Sequence, residues 1–420
     1  MGERAQRNAV LYVRTALKIA WLSLAILITL LVGIECFASG YYLAHRIVSG
    51  YDRRNALVKT QISRMPRDGY PNPADQTWFG AYWKEFDDST YAAVEPVSYS
   101  NWHRRPFKGK YINVEQNGRR ATWNQDREAA PGSTRIAIFG GATVWGTGAR
   151  DEFTIPSYIS KMLAEKYPHR FSVANYGQDQ YVSTQEVIAL VREIQQDSIP
   201  DIVVFYDGYN DTFAALQAGA AGIPLNEDDR KREFNILHPS RTRDFYLEVL
   251  SRTNTFQLLR GLQTALWPKA EAGSLSDSDN DDLALDVIRA YFRNVEFVTA
   301  MGNKFGFVAR FFWQPSVYTR ARPTEPEESI IHGSRQGASF YRRVQEAMKE
   351  VDLTAGPANF RDISAALDGY AGTAFIDTTH ATELANEVIA REIVADLKGT
   401  LEQAALRQVS GEIEPSGPVQ

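Results

Sequence analysis

The sequence predicts an α/β domain with a three-layer, doubly wound parallel sheet, preceded by an N-terminal transmembrane helix. From Thr134 onward, short apolar segments alternate with longer segments whose apolar residues recur at helical spacing. The apolar segments are largely unbroken, as expected for strands of a parallel sheet that helices cover on both faces. This alternation is typical of doubly wound folds.

The composition excludes several classes of protein. The chain has 420 residues, of which 44% are hydrophobic and 23% charged, as in a globular protein with a large core. Its net charge of −5 provides no basic field for nucleic acid, so no nucleic-acid partner is expected. The single cysteine, Cys36, excludes an internal disulfide framework. The histidines include no pair at metal-ligand spacing, and neither a metal nor another cofactor is expected.

Residues 19–44 are interpreted as the transmembrane helix. Every residue from Ile19 to Ile34 is uncharged, and most are large and apolar. Counted through Tyr42, with Glu35 near the interface or paired, the segment reaches the roughly 20 residues that cross the hydrocarbon core. A cleaved signal peptide fits less well, because no clean small-residue cleavage site follows. A buried core helix is the remaining alternative.

The orientation of this helix stays open, because basic residues lie on both sides of it. They are Arg4, Arg7, Arg14 and Lys18 before the segment, and Arg46, Arg53, Arg54 and Lys59 after it. An excess of positive charge marks the cytoplasmic side, and here the two sides are nearly equal. Residues 1–18 are nevertheless assigned to the cytoplasm.

The remaining chain divides into three predicted parts. Residues 45–133 are polar and aromatic and form a β-rich preface, in which "KYINVEQNGRRAT" predicts two strands joined by an Asn-Gly turn. Residues 134–398 form the α/β domain, and residues 399–420 form a disordered tail. Within the domain, residues 213–300 are a helical insertion. It is either a substrate wall or lid, or a pair of helices that widens the core.

The α/β domain is predicted to contain five strands. They are Arg135–Phe139, Phe171–Asn175, Ile202–Tyr206, Phe305–Trp313 and Ala374–Ile376. Because the carboxyl ends of parallel strands meet at one edge of a sheet, the residues that follow them are expected to converge. The first strand ends in "FGGAT", the second in "NYGQ" and the third in "YDGYND", and the last turn carries "IDTTH".

The first of these segments has the glycine spacing of a phosphate-binding loop. Thr147 stands where that loop requires a lysine, so nucleotide binding is disfavoured. In the last turn, Asp377 and His380 are close enough in sequence for the carboxylate to orient the imidazole. Asn210 offers an amide donor and Gly177 a backbone N–H.

Each of these residues also has a purely structural interpretation. The Asp377–His380 pair could be a helix cap beside a satisfied histidine, Asn210 a turn residue and Gly177 a bend. Their joint occurrence at successive strand ends favours a hydrolase-type site with an oxyanion hole. What the residues themselves do not supply is a nucleophile.

Residues 134–398 resemble the SGNH (GDSL-like) hydrolase family in four blocks that occur in the family's order. The blocks are "IAIFGGATVWGTGARDEFTIPSYI", "NYGQDQYVSTQE", "VVFYDGYND" and "FIDTTHATELANEVIAREI". The preceding "RRPFKGKYINVEQNGRRAT" is similar to the lead-in of membrane-anchored members. The resemblance implies a flavodoxin-like SGNH hydrolase fold.

Carried over by position, the resemblance implies a role for each site residue. Gly177 and Asn210 would be oxyanion donors, His380 the general base and Asp377 its orienting carboxylate. The nucleophilic serine of the family maps onto Ala142, so the chain departs from the family at the attacking atom. Thr143 matches the family's ordinary threonine and is no obvious substitute.

The implied chemistry is ester hydrolysis or acyl transfer on an O-acylated extracytoplasmic substrate, either a small acyl ester or an acylated glycan or lipid. Loss of the serine from a serine protease lowers kcat by on the order of 10⁶, so the activity of this chain is expected to be very low. The site is a degenerate binding pocket, a slow hydrolase in which His380 activates water, or an active site whose serine was replaced. A membrane-tethered, non-catalytic pseudoenzyme that binds glycan, lipid or protein is the alternative from another class.

Overall fold

A computed structural model of the chain describes residues 2–49, 66–71, 76–91, 94–123, 132–228, 230–231, 250, 253–266, 277–355 and 357–410. The chain forms two compact units, one of residues 1–62 and 229–274 and the other of residues 63–228 and 275–420. Parts of the predicted preface and insertion, and the last ten residues of the predicted tail, lie outside the described residues.

The described part of the chain contains twelve α-helices with defined bounds and nine strands, besides three short 3₁₀ helices. The helices are α1 (Gly2–Ser49), α2 (Phe79–Tyr91), α3 (Ala142–Trp145), α4 (Ile155–Lys166), α5 (Ser183–Gln195), α6 (Tyr209–Ala218), α7 (Asn254–Leu266), α8 (Asp277–Phe305), α9 (Glu325–Gly333), α10 (Arg335–Ala355), α11 (Glu383–Asp396) and α12 (Lys398–Ser410). The strands are β1 (Val94–Val97), β2 (Asn101–Arg104), β3 (Phe107–Lys108), β4 (Asn113–Val114), β5 (Thr134–Gly140), β6 (Phe171–Gly177), β7 (Ile202–Asp207), β8 (Val308–Trp313) and β9 (Phe360–Asp362).

The first unit contains α1 and α7, which pack against each other. Within α1, the 28 residues from Arg14 to Tyr41 are apolar enough to cross a membrane. At 1.5 Å per residue this length is about 42 Å, more than the ~30 Å of a hydrocarbon core. Trp21, Leu30 and Phe37 are among the many large apolar side chains that α1 exposes. Length, composition and exposure are therefore those of a helix that can span a bilayer.

The second unit is built on a parallel five-stranded sheet with the order β6-β5-β7-β8-β9. Successive side chains of a strand face opposite sides of its sheet. Ile136 and Ile138 of β5 accordingly pack in one core cluster with α4 and α11. Ala137 and Phe139 pack in the other cluster with α5, α8 and α10. The predicted three-layer, doubly wound parallel sheet is confirmed.

Helix α8 belongs to this core although it overlaps the segment predicted as an insertion. Its buried side chains, including Val287, Ile288 and Val295, lie in the cluster on the α5 face of the sheet. The helix connects the chain back to the start of β8. This part of the predicted insertion therefore packs in the core.

The segment before the sheet contains α2 as well as four short strands. Aromatic residues of α2, among them Tyr82, Trp83 and Phe86, form a third core cluster that includes Trp145 of α3. The sequence predicts strands in this segment but no helix. The cluster places the segment directly against the turn that follows β5.

One predicted strand is displaced. The edge strand is β9 at Phe360–Asp362, and Ala374–Ile376 forms no strand. Instead, Glu327 accepts hydrogen bonds from the backbone N–H groups of Ala374 and Phe375 at 2.8 and 3.1 Å. A carboxylate thus satisfies the donors that a neighbouring strand would have satisfied.

The predicted disordered tail needs correction. Residues 398–410 form helix α12, whose Leu401 and Ala405 are buried in the core. The side chain of Gln408 donates to Thr134 Oγ1 at 2.8 Å, which ties the helix to the first residue of β5. The polar composition concealed a helix because its few apolar residues recur at a spacing of four and pack on the domain.

Candidate functional site

The candidate site lies at the carboxyl end of the sheet, where β5 turns sharply into α3. Gly141 has an extended backbone, and Ala142 is the first residue of the short helix. Ala142 is half-buried, while Val144 and Trp145 are buried. The turn therefore holds the Ala142 methyl group at the edge of the core, between the strand and the helix.

Asp377 and His380 form the hydrogen-bonded pair that their spacing predicts. His380 Nδ1 lies 2.6 Å from Asp377 Oδ2. The other carboxylate oxygen accepts the backbone N–H groups of Thr379 and His380 at 2.9 and 2.8 Å. The carboxylate is fixed on both sides, and it fixes one edge of the imidazole. The opposite ring nitrogen, His380 Nε2, is buried and has no hydrogen-bond partner among the described residues.

The charges of this pair support each other. Burial alone favours the neutral imidazole, but the attraction of Asp377 and its hydrogen bond outweigh burial, so the pKa of His380 is raised. Burial likewise opposes ionisation of Asp377, but His380 and the backbone donors outweigh it, and the pKa of Asp377 is lowered. Asp179, in the loop after β6, also raises the pKa of His380. A carboxylate with such a partner is equipped to stabilise an imidazolium that forms during proton transfer.

Asn210 lies against the turn that carries Ala142. Its Nδ2 atom donates to the carbonyl of Tyr181 at 2.7 Å. A Cβ atom built on Gly141 would stand 2.3 Å from the same Nδ2 atom, so only glycine leaves room for the amide there. The second N–H of the amide has no partner among the described residues. The amide nitrogen thus lies against Gly141, the residue before Ala142.

Hydrogen bonds connect the three parts of the site. Thr143 Oγ1 lies 3.5 Å from Gln314 Oε1, and Gln314 Nε2 donates to Thr379 Oγ1 at 2.7 Å. The hydroxyl of Tyr209 is hydrogen-bonded to Thr378. The chain neighbours of Ala142, Asn210 and His380 are thereby joined by hydrogen bonds.

Gly177 lies beside the turn, and its N–H already has a partner within the chain. Its N–H donates to the side chain of Asn175 at 2.9 Å, so this group is not free to bind an oxyanion. A Cβ atom on Gly177 would lie 2.2 Å from the backbone nitrogen of Trp145. The glycine therefore allows the end of β6 to approach the backbone of α3.

Arg120 stabilises the turn that follows β5. The sequence did not indicate this role. Its buried guanidinium donates to the carbonyls of Gly146 and Ala149, both at 2.7 Å, and to Asp151 Oδ1 at 2.8 Å. Its Cζ atom lies 4.3 Å from the ring centre of Trp145. Arg120 fixes the loop that follows Ala142. A single arginine in a polar segment gives no sequence signal for such a role.

Three carboxyl groups are buried behind the site. Burial raises the pKa of Glu186, Asp207 and Asp211, and the proximity of Asp207 raises that of Glu186 further. Asp211 accepts hydrogen bonds from Ser183. Glu186 and Asp207 therefore favour their protonated forms inside the core. In the described part of the chain, no group of three or more His, Cys, Asp or Glu residues could hold a metal ion.

Comparisons with known proteins give no relative in sequence. No family model matches the chain, and no curated protein matches it. The chain is similar to several solved structures. The acetyl xylan esterase AlAXEase is 11% identical, with a TM-score of 0.34, covering 63% of this chain and 99% of the esterase.

A catalytic mutant of Axe2, an acetylxylan esterase from Geobacillus stearothermophilus, is 14% identical with a TM-score of 0.32, covering 64% and 95%. A lipase/acylhydrolase from Enterococcus faecalis is 13% identical with a TM-score of 0.34, covering 64% and 96%. These likenesses contribute nothing to the argument for function, which depends on the geometry of the site.

Proposed function

We propose that this chain is a membrane-anchored, SGNH-type hydrolase whose site acts on acyl esters and lacks its nucleophilic hydroxyl. The observation that carries the proposal is the Asp377–His380 pair at 2.6 Å, with a buried and unpartnered His380 Nε2. A histidine that served only to satisfy the turn would not need a fixed carboxylate behind it and a free nitrogen in front. The Asn210 amide beside Ala142 adds a donor for a developing oxyanion.

With a serine at position 142, each group has a defined task. The serine oxygen would attack the acyl carbon while His380 Nε2 accepts its proton. Asp377 would hold the ring in the required tautomer and stabilise the imidazolium. Asn210 would donate to the carbonyl oxygen as it becomes negative. His380 would then return the proton to the leaving alcohol, and a water molecule would release the acyl group.

In the chain as it is, the methyl group of Ala142 cannot take the first step. Thr143 is no replacement, since its hydroxyl lies at hydrogen-bonding distance from Gln314. Hydrolysis would require His380 to activate a water molecule directly. The oxyanion donor and the bound ester still give such a site a modest advantage over water, which in a serine protease without its triad is roughly 10³ to 10⁴.

We further propose an O-acylated substrate outside the cytoplasm, either a small ester or an acyl group on a glycan or lipid. The support for this step is the apolar span of α1, which would hold the catalytic unit close to a membrane. The orientation assumed here places the C-terminal unit on the extracytoplasmic side. A cysteine introduced near the C-terminus should then react with an impermeant thiol reagent in intact cells. If that cysteine does not react, the assumed orientation is wrong.

The direct experiment measures p-nitrophenyl acetate turnover by the full chain in detergent, before and after Ala142→Ser. We expect a gain of several orders of magnitude in kcat, because a missing serine costs on the order of 10⁶ in a serine protease. Adding His380→Ala or Asn210→Ala to the serine variant should remove the gain. The matched control is Ala81→Ser, the same change at an exposed position of α2, which should have no effect.

A non-catalytic, membrane-tethered binding protein is the second candidate, and the absence of a hydroxyl at position 142 favours it. If the folded Ala142→Ser variant stays inactive, the hydrolase proposal fails and this candidate gains. Such a protein would still bind an acylated ligand, and His380→Ala would weaken binding without any turnover to lose.

A further inference from the structure

The apolar span of α1, Arg14–Tyr41, contains one acidic residue, Glu35, and the first turn of α7 binds it. Glu35 accepts the backbone N–H groups of Asn254 at 2.8 Å and Thr255 at 2.9 Å. Its carboxylate also accepts the Thr255 hydroxyl at 2.7 Å, and Asn254 Nδ2 donates to Ser39 Oγ at 2.8 Å. Because the first N–H groups of a helix have no partner within it, Glu35 satisfies donors that α7 cannot satisfy itself.

These contacts define the face of α1 on which α7 docks. Glu35, Ala38 and Ser39 lie on one side of α1, since residues three and four apart share a helix face. Ala38 is fully buried, whereas its neighbours Cys36 and Phe37 are exposed. A small residue between two polar ones lets the helices approach closely. Glu35, the acidic residue of the apolar span, thus has a specific partner within the same unit.

Helix α7 itself exposes an apolar stripe. The side chains of Phe256, Leu259 and Leu262 are 38%, 59% and 51% exposed. They recur every three residues, so at 100° per residue they cover a sector of about 120°. Exposing three large apolar side chains of a 13-residue helix to water is unfavourable in free energy. The stripe continues the exposed apolar surface of the helix to which α7 is attached.

We propose that α7 is a second membrane-binding element, an interfacial helix whose apolar stripe enters the lipid beside α1. The inference rests on the proposed insertion of α1 in a bilayer. Glu35 lies six residues before Tyr41, the end of the apolar span, which is about 9 Å along the helix. This depth is that of the boundary between headgroups and acyl chains, where amphipathic helices lie with their apolar face inserted by roughly 5–10 Å. The occupant of the stripe is therefore lipid.

The proposal assigns α7 a task outside catalysis. Insertion of the stripe would give the first unit two attachment points, the span of α1 and the surface helix α7. Glu35 would couple them, because its carboxylate can satisfy α7 only when the two helices are side by side. A charged residue at this depth of a membrane helix is expensive, and the donors of α7 offset that cost.

The test uses an environment-sensitive fluorophore attached to a single cysteine in the full chain, in which Cys36→Ser removes the native cysteine. Each labelled protein is reconstituted into vesicles of ordinary or brominated phosphatidylcholine. The labelled variants are Leu259→Cys in the stripe, Leu24→Cys within the span of α1 and Lys84→Cys at an exposed site of α2. Bromine atoms in the acyl chains should quench the labels at positions 24 and 259, but not the label at 84. Iodide in the buffer should quench the label at 84 but not the labels at 24 and 259.

The label at position 24 separates the two possible failures. In one case, brominated lipid quenches the label at 24, but iodide quenches the label at 259 as strongly as the label at 84. Helix α1 then spans the membrane as proposed, and the proposal for α7 is wrong. If neither 24 nor 259 responds to brominated lipid, the proposed anchor itself fails. A third outcome is that the label at 259 is protected from iodide but is not quenched by brominated lipid, and that labelled copies quench each other. The stripe would then bind a second copy of the chain, and the proposal would be wrong.

A substitution at Glu35 tests the coupling of the two helices. Glu35→Ala makes α1 more apolar, so the span stays in the membrane and the label at 24 should not change. The label at 259 should lose its quenching by brominated lipid, because α7 is no longer held beside α1. Thr29→Ala is the matched control, since its hydroxyl bonds only within α1 to Ala25. Full quenching at 259 in the Glu35 variant would show that α7 does not depend on this contact.

Discussion

His380 Nδ1 lies 2.6 Å from Asp377 Oδ2, and the backbone of the same turn holds the second oxygen of that carboxylate. One edge of the imidazole is therefore occupied, and the other edge, with Nε2, has no partner in the described chain. This asymmetry distinguishes a histidine positioned to accept a proton from one that merely fills a turn. It also fixes the expected pH dependence of the site.

The activity of the Ala142→Ser variant should rise with pH. The imidazole must be neutral to accept the serine proton, and the pKa of His380 is raised by Asp377. We therefore expect kcat/KM for p-nitrophenyl acetate to increase through a pKa above the ordinary histidine value of about 6.5. Asp377→Asn should move this pKa downward and reduce the maximum rate. A profile that is flat, or that rises through a pKa below 6.5, would contradict the assignment of His380 as the base.

Gly141→Ala and Gly177→Ala should affect the protein in different ways. The new methyl group at 141 meets the end of the Asn210 side chain, which can move away. In the Ala142→Ser background we expect kcat to fall by roughly 10²–10³, the typical effect of losing one oxyanion donor, with little change in thermal stability. The methyl group at 177 meets the backbone of α3, which cannot move so easily.

We therefore expect Gly177→Ala to lower the midpoint of thermal unfolding and, through the distorted turn, the activity as well. Circular dichroism during heating, alongside the esterase assay, separates the two cases. Equal loss of stability in both variants would argue against Asn210 as the group that yields. Retained activity in a folded Gly141→Ala variant would remove Asn210 from the proposed mechanism.

Arg120→Ala should destabilise the second unit. The guanidinium is fully buried, and its removal takes a donor away from Asp151 Oδ1 and from the carbonyls of Gly146 and Ala149. Removing one partner of a buried ion pair lowers the free energy of unfolding by about 3–5 kcal/mol. Arg135→Ala is the control, because this side chain is half exposed, and exposed pairs such as that with Asp201 are worth about 0–1 kcal/mol. Chemical unfolding followed by circular dichroism measures both; a loss for Arg120→Ala no larger than for Arg135→Ala would refute the support role.

The buried carboxyl groups predict a stability that decreases as the pH rises. Burial raises the pKa of Glu186 and Asp207 above the unfolded values, so the folded protein holds more protons at intermediate pH. Stability should be highest at or below the ordinary carboxyl pKa of about 4 and should decline above it until the raised pKa is passed.

Glu186→Gln should flatten this decline, because the amide does not ionise. The unfolding midpoint of the full chain between about pH 4 and pH 8 is the measurement, with the exposed Glu165→Gln as control. A slope as steep in Glu186→Gln as in the unchanged protein would mean that the buried pair does not set the pH dependence.

The sheet and the hydrogen-bonded pair of Asp377 and His380 were predictable from the sequence. Unbroken apolar runs marked the central strands, and parallel strands bring their carboxyl ends to one edge. The edge strand was not predictable in the same way. Ala374–Ile376 is as buried and apolar as a strand, but Glu327 accepts the backbone N–H groups of Ala374 and Phe375. Hydrogen bonds to a side chain 47 residues away leave no local pattern.

Helix α2 and helix α12 were missed for another reason. Both are rich in polar residues, and their apolar residues occupy only one narrow face. Tyr82 and Phe86 in α2, like Leu401 and Ala405 in α12, recur at a spacing of four and are buried. This spacing was present in the sequence and is the signal that could have found them. The contact of Glu35 with α7 joins residues 219 apart, and nothing in the sequence near either one indicates it.

The indole of Trp145 stacks between two guanidinium groups, those of Arg104 at 4.1 Å and Arg120 at 4.3 Å from its ring centre. Because Trp145 closes the helix that begins at Ala142, its emission should respond to any displacement of that helix. The chain has eight tryptophans, so the spectrum must be read as a difference from Trp145→Phe. Ligand binding at the site would then be visible by intrinsic fluorescence, without turnover and without a synthetic label.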